Sequence, residues 1–372
     1  MNKKLLAVAV LGALASPTVF AQGSPRMLSA QGTTIYGIFD LGYQNASGIN
    51  NKNKNFIQQG MRDPSRFGIR GSEDLDGGMY AMYGFEFNMV LDTGGATDIS
   101  RLAFAGLGSK SWGELTLGRQ YTHLFHTFAV GSAHAYGTFA SEFGQTPISI
   151  RTSNGVKYSS PVFNGFAIGA EWAPSLASDA AGTPEPINTT DKKNYYDGAI
   201  RWTPGPFGVA AGFGKQKSET GAGTVGDTKI SELSANWDNQ AFGIYGNYAT
   251  QKTDALGTTV ADWKTYSVSG VARFGGRHSV YAMYSKAKND NVTNGEATTI
   301  GVAYENALSK RTVVYVGYGK TTNKDGMNLA PTSYAGATPG VEMPVGGTTA
   351  NSATIPLGKD PSALQIGLST SF

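Results

Sequence analysis

The sequence predicts an all-β fold, an antiparallel barrel of sixteen strands that crosses a membrane, and three observations predict it. Apolar and polar residues alternate in one segment after another to the end of the chain. The connections between those segments are short and long by turns. The chain is polar on average, with a mean hydropathy of −0.23, yet it holds 11% aromatic residues and spends its apolar residues on every second position of these segments. Period two marks a strand with one apolar side. A transmembrane barrel turns that side to lipid and the other to water, so each segment is only half apolar and hydropathy windows miss it.

The first element is no strand. A basic start, Lys3 and Lys4, an apolar run from Leu5 to Ala15 and small residues at Val19 and Ala21 predict a cleaved export segment over 1–21. The apolar run is too short for a transmembrane helix, which needs roughly 20 apolar residues. Residues 22–372 then form the barrel domain. Losing Lys3 and Lys4 lowers the formal charge from +3 to +1, a balance that gives no reason to expect nucleic acid as a partner. Cysteine is absent, which excludes a disulfide-stapled exported fold.

The strands follow in order. Thr33 to Gln44 sets Ile35, Phe39, Leu41 and Tyr43 against Tyr36, Asp40 and Gln44. SRFGIRGSEDLDGGMYAMYGFEF, residues 65–87, encodes two neighbouring strands. Phe67, Ile69 and Phe85 fall on the apolar side, and Arg66, Arg70, Tyr80 and Glu86 on the side that faces a lumen. Over 99–107 the alternation sets Leu102 and Phe104 outward and Arg101 inward. Ten further alternating runs lie between 151 and 320, and the last strand, SALQIGLSTSF, ends on Phe372.

Short turns are predicted near residues 73–77, 110–113, 161–165, 204–206, 238–240, 275–277 and 307–310. Long polar connections are predicted over 45–63, 91–98, 121–150, 174–193, 217–227, 252–260, 288–295 and 321–361. Strict alternation of short and long puts every second connection on one side of the membrane, as in an up-and-down barrel with tight periplasmic turns and extended outer loops. A terminal aromatic on an apolar stripe suits closure onto the first strand and a place in an interfacial girdle.

Several strings resemble the general porins of the Gram-negative outer membrane, closest to the beta-proteobacterial type: residues 65–87, SRLAFAGL (100–107), GELTLGRQYT (113–122), SEFG (141–144), NGVKYSSPVFNGFAIGAEW (154–172) and the terminal Phe372. The resemblance implies a homotrimer of sixteen-stranded barrels in the outer membrane, each with a third outer loop folded into the lumen, here residues 121–150. It implies that Arg66, Arg101 and Arg151 form a basic wall facing the loop's acid Glu142; the alternation itself sets Arg70, Asp40, Tyr36, Tyr80 and Glu86 on the pore-lining side. It also implies recognition of Phe372 by the barrel-assembly machinery and contact with outer-membrane lipid and lipopolysaccharide. Alternation alone places Arg66 and Arg101 inward and leaves Arg151 unplaced. The sequence departs from the family at Thr138, where a second loop acid is common, at Ser141, which replaces a proline, and at Ile38, where enteric members carry a basic residue.

Guanidinium groups keep their charge at every relevant pH, so three of them facing one carboxylate predict an anion-preferring diffusion channel for small hydrophilic solutes and inorganic ions. A channel dedicated to sugars or organic anions, a non-conducting adhesin or receptor barrel, and a soluble β-sandwich share parts of the pattern. His123, His126 and His134 cluster in one loop without carboxylate partners in metal-ligand spacing, so no metal or other cofactor is expected. No nucleophile motif accompanies His278, and an enzyme is not expected.

Overall fold

The computed structural model describes residues 32–49, 52–60, 62–94, 101–134, 150–174, 192–219, 225–330 and 356–372. The export segment, Thr138, Ser141 and Glu142 lie outside the described residues. Among those described, seventeen strand segments form one sheet. In the first part of the chain they are β1 (Gly32–Ile49), β2 (Lys52–Gln59), β3 (Arg66–Asp74), β4 (Met79–Asn88), β5 (Leu102–Ser109), β6 (Gly113–Tyr121), β7 (Arg151–Ser159) and β8 (Phe166–Ala173). The rest are β9 (Lys192–Trp202), β10 (Phe207–Glu219), β11 (Val225–Asp238), β12 (Phe242–Ala255), β13 (Thr258–Phe274), β14 (His278–Asn289), β15 (Glu296–Ala307), β16 (Thr312–Asn323) and β17 (Ser362–Ser371). One helix, α1 (His123–Val130), follows β6.

Every described pairing is antiparallel, and the sheet closes where β1 meets β17, from Ile38 opposite Ser371 to Ser47 opposite Ser362. On its other edge β1 takes two partners end to end. β2 pairs with its second half and β3 with its first, so the seventeen segments occupy sixteen strand positions. The prediction of one long connection over 45–63 is corrected here: β1 runs on to Ile49 and β2 fills most of the expected loop. What the sequence does carry is the break, Gly60 to Ser65, where Pro64 has no N–H to give a ladder. That excursion is held by Asp40, whose carboxylate accepts from the Arg62 and Asp63 amides at 3.2 and 3.1 Å.

A second correction falls on 252–260. β12 and β13 continue through it to a two-residue turn, Leu256 and Gly257, both at positive φ (49° and 78°), the backbone of a tight hairpin. The seven predicted short turns all fall between consecutive strands.

The pleat sorts the faces as predicted almost everywhere. On β12 Phe242, Ile244 and Tyr248 are exposed outside while Tyr245, Asn247, Ala249 and Gln251 are buried inside. Ile35, Phe39, Leu41 and Tyr43 on β1, and Phe85 on β4, are outward and exposed, whereas Asp40, Gln44 and Glu86 are buried. A soluble protein would not leave such a band uncovered; in a bilayer it is the solvated face. The exception is β5. Leu102 and Phe104 point inward and pack with Met82, Tyr121, Phe125 and Phe128, while Leu107 is outward. The inversion has a cause inside the barrel: α1 supplies an apolar surface that lumen water would not.

At the seam Phe372 exchanges backbone hydrogen bonds with Gly37, both 3.2 Å. Its ring lies over Gly37 and meets Phe39 edge-on at 5.4 Å. Phe372→Ala is expected to remove a pair worth about 1 kcal/mol at the closing strands, lowering the temperature at which the barrel's heat-dependent gel mobility changes. An unchanged transition would show that the ring does not stabilise closure.

Candidate functional site

β1 and the consecutive strands β3 to β7 bring the predicted arginines together. Arg66 opens β3, Arg101 immediately precedes β5, and Arg151 opens β7. All three are buried, at 2%, 2% and 7% exposure. Between them stand Glu86 on β4 and Tyr121, the last residue of β6. Arg101 donates from Nε to Glu86 Oε1 at 2.5 Å and from Nη2 to the Tyr121 hydroxyl at 2.7 Å. Arg151 donates to the same hydroxyl at 2.9 Å and lies 4.5 Å over the Tyr121 ring. Arg66 Nη1 is 3.9 Å from Glu86 Oε1, and its Nε donates to the Pro64 carbonyl at 2.8 Å. Tyr36 completes the group by donating to Glu86 Oε2 at 2.9 Å. Among these contacts two guanidinium groups therefore share one carboxylate, and the third joins them through the Tyr121 hydroxyl.

Arg101 reaches the lumen for a reason different from the predicted one. By pleat parity it shares the outward side with Ala103, but it precedes the strand, and its side chain is buried by its bonds to Glu86 and Tyr121. The other predicted lining residues lie nearby. Arg70 sits 4.8 Å over the Tyr36 ring, Tyr80 donates to Glu114 at 3.1 Å, and Asp40 accepts from Tyr315 at 2.7 Å.

The helix α1 is the second component. Thr122 caps it by accepting from the Phe125 amide at 3.0 Å, a contact worth about 1 kcal/mol. Asp197 on β9 accepts from the Leu124 amide at 3.2 Å, placing a carboxylate where the helix dipole favours one. Glycines make the wall flat enough for this approach. His123 lies directly against Gly169 on β8, and Leu124 against Gly212 and Gly214 on β10. Beyond the helix, the Gly131 carbonyl accepts from Asn247 at 2.8 Å and the Ala133 amide donates to Ser269 at 3.0 Å. The loop thus crosses the inside of the barrel from β7 to β13.

Sequence reasoning missed the row beneath α1. Lys157, Glu171 and Asp197 are register neighbours on β7, β8 and β9, all buried. Lys157 Nζ donates to the Tyr121 carbonyl at 2.5 Å, and Thr152 donates to Glu171. It also missed a link inside the barrel wall. Arg62, in the break between β2 and β3, donates twice to Glu305 on β15, at 2.7 and 3.1 Å. His134 lies 3.1 Å from the same carboxylate. The signal was available as polar residues at inward positions, but nothing in the sequence says which inward residues a folded-in loop will cover. No group of metal-ligating side chains of suitable geometry occurs among the described residues.

Residues 7–326 match the model of the Gram-negative porin family. The chain is 29% identical over 366 residues to outer membrane porin protein 32 of Delftia acidovorans, covering 93% of this chain and 97% of that one. It is 30% identical over 241 residues to an outer membrane porin protein of Bordetella pertussis, covering 57% of this chain and 59% of that one. Among solved structures, an anion-selective porin from Comamonas acidovorans superposes with a TM-score of 0.76 at 22% identity, covering 92% of this chain and 99% of that one. The trimer form of OmpT from Vibrio cholerae does so at 0.66 and 16% identity, covering 92% and 100%.

Two expectations follow for α1. Gly169→Val would drive carbons into the space of the His123 ring, costing about 1–3 kcal/mol and moving the helix toward the lumen. Its single-channel conductance should fall, while Gly226→Ala, where an added carbon meets nothing within 4 Å, should match the parent. The second concerns pH. Burial, then the nearby Lys157 and Arg201 cations, push His123 and His126 well below the ordinary histidine value. The undocked helix therefore binds protons that the docked one refuses. Docking is fully stable above about pH 6.5 and weakens below it, by up to about 1.4 kcal/mol per unit for each imidazole. Channel closures should grow more frequent from about pH 7 to about pH 5, and His126→Gln should flatten that rise.

Proposed function

Since the chain belongs to the Gram-negative porin family and is thereby an outer-membrane channel, we propose that it is a trimeric general diffusion porin that prefers anions. The observation that carries the preference is the cluster of three arginines, two of them on Glu86 and the third joined to them through the Tyr121 hydroxyl. Among the described contacts three guanidinium groups stand against one carboxylate, so positive charge predominates in a fixed array. Because Tyr121 holds two of the guanidiniums, the array keeps its shape as solutes pass, and its field acts on ions in the adjacent water without the arginines having to leave their bonds. Glu142, the one carboxylate in the sequence from 121 to 150, is proposed as the acid facing this wall.

The trimer, contacts with lipopolysaccharide, and handling of the Phe372 end by the assembly machinery belong to the same reading. So do small hydrophilic solutes and inorganic anions as cargo. The similar structures support it: one is an anion-selective porin and another was solved as a trimer. The chemistry asked of the protein is passive, and the residues described have positioning and electrostatic roles only.

Current across a planar bilayer under a KCl gradient tests the reading. Conductance steps in groups of three with an anion-side reversal potential are expected. Replacing Arg66 and Arg151 together by Gln should lower the anion-to-cation permeability ratio about fivefold, since two charges at ~8 Å through water act with about 1 kcal/mol. High salt should compress the difference. Cation preference in the parent would overturn the constriction reading, and silent but folded protein would favour a receptor or adhesin barrel.

A further inference from the structure

Arg66, Arg101 and Arg151 direct donors to Glu86, the Tyr121 hydroxyl and the Pro64 carbonyl. Arg70 does not. It follows Arg66 by four residues on β3, on the same face of the pleat and about 13 Å nearer the β3–β4 turn. It is half-buried, and its guanidinium lies 4.8 Å over the Tyr36 ring. Among the described residues it makes no hydrogen bond and no ion pair.

That guanidinium is nevertheless held in place. The Tyr36 ring lies against Gly68 of β3, where any larger side chain would collide with it, and Arg70 covers it. The Tyr36 hydroxyl donates to Glu86 at 2.9 Å, and Glu86 is fixed in turn by Arg101. One chain of contacts therefore runs from the upper cluster down to Arg70. The surroundings supply no acceptor for it. Opposite on β4 is Gly84, against which the apolar Phe104 ring packs, and opposite on β1 is Thr34, which makes no bond to it. The carboxylates near it are engaged or distant. Glu86 serves Arg66, Arg101 and Tyr36, and Glu114 accepts from Tyr80 at 3.1 Å. Glu73 falls on the other face of β3, and Asp74 stands a further four residues on, about 13 Å away along the strand.

We propose that Arg70, seated on Tyr36, is a second anion step in the lumen, a subsite for the carboxylate of a small organic acid. A guanidinium presents parallel N–H groups that match the two oxygens of a carboxylate, whereas chloride can use the charge but not the fork. Its planar fork is pre-organised, and the ring beneath it limits the freedom it has to lose on taking a ligand. Tyr36 is the positioning residue. An anion drawn in by the upper cluster meets, farther along β3, a fork that no protein acceptor holds. The proposal rests on the anion-preferring channel reading and deepens it by naming the solute class.

Conductance across a planar bilayer as a function of potassium acetate concentration tests it, with potassium chloride as the second probe. The parent should reach half-saturation at a lower concentration in acetate than in chloride. Arg70→Gln should raise the half-saturating acetate concentration about tenfold, as expected when hydrogen bonds to a charged group are lost. Arg70→Lys, which keeps the charge and loses the fork, should raise it about fivefold. Tyr36→Leu, which takes away the ring, should raise it as well, and Tyr36→Phe, which keeps the ring, should raise it less. Heat-dependent gel mobility establishes that each variant is folded. An unchanged acetate curve in Arg70→Gln overturns the proposal. A parent-like Arg70→Lys does so too, because charge alone then suffices, as does equal saturation in acetate and chloride. A parent-like Tyr36→Leu overturns the seat on which Arg70 is placed. Folded parent protein that stays silent counts against the porin reading instead, whereas normal steps with no dependence on residue 70 sink this proposal alone.

Discussion

Inside a bilayer no water is available to satisfy a backbone N–H or C=O, so the structure depends first on the closure of its sheet. That requirement is met at one seam, where β17 returns to β1 along ten register pairs and the Phe372 backbone adds a final exchange with Gly37. Closure fixes the pleat, and the pleat fixes which residues meet lipid. The apolar outer band and the polar interior are consequences of the same geometry. The break at 60–65 is tolerated because it turns inward, where Asp40 and Ser65 can satisfy what the ladder loses: the Ser65 hydroxyl bonds both the amide and the carbonyl of Asp40, each at 3.0 Å.

Most of this is legible in the sequence because period two is a local property of the chain. Ile35, Tyr43 and Phe85 can be placed without knowing any partner strand, and the short turns follow from their glycines and prolines. The failures share one physical origin. Alternation assigns Leu102 and Phe104 to lipid because apolar residues at alternate positions have no other use in an empty lumen, and α1 makes this lumen locally a protein core. Likewise Lys157, Glu171 and Asp197 read as ordinary water-facing positions. Their importance comes from being covered, which depends on a loop whose path the alternation does not encode. The three arginines do meet in space, though the parity argument for Arg101 fails, since its strand begins one residue later.

The electrostatics repeat that division. A buried guanidinium is costly unless it is paired and hydrogen-bonded, and here the cost is met by sharing: Glu86 serves Arg66, Arg101 and Tyr36, and Tyr121 serves Arg101 and Arg151. Sharing satisfies donors without neutralising charge, because a hydroxyl accepts a hydrogen bond but carries no counter-charge. A second carboxylate in the place of Tyr121 would have held the arginines as well but cancelled more of their charge. The choice of a phenol is therefore what lets the cluster be rigid and still cationic.

Tyr121 also joins that cluster to the helix. Its hydroxyl takes two arginines, its carbonyl takes Lys157 from the row beneath α1, and its ring stacks on Phe125 of α1 at 4.7 Å with 17° between planes. On the proposed reading pore width depends on where the helix lies and selectivity on where the guanidiniums lie, and one residue at the end of β6 restrains both. A disturbance that lifts α1 from its glycines must either carry the Tyr121 ring with it or lose the stack. In either case the geometry of Arg101 and Arg151 relaxes. Conductance and ion preference in this barrel should therefore change together when the helix moves, and separately only when an arginine is altered with the helix left in place.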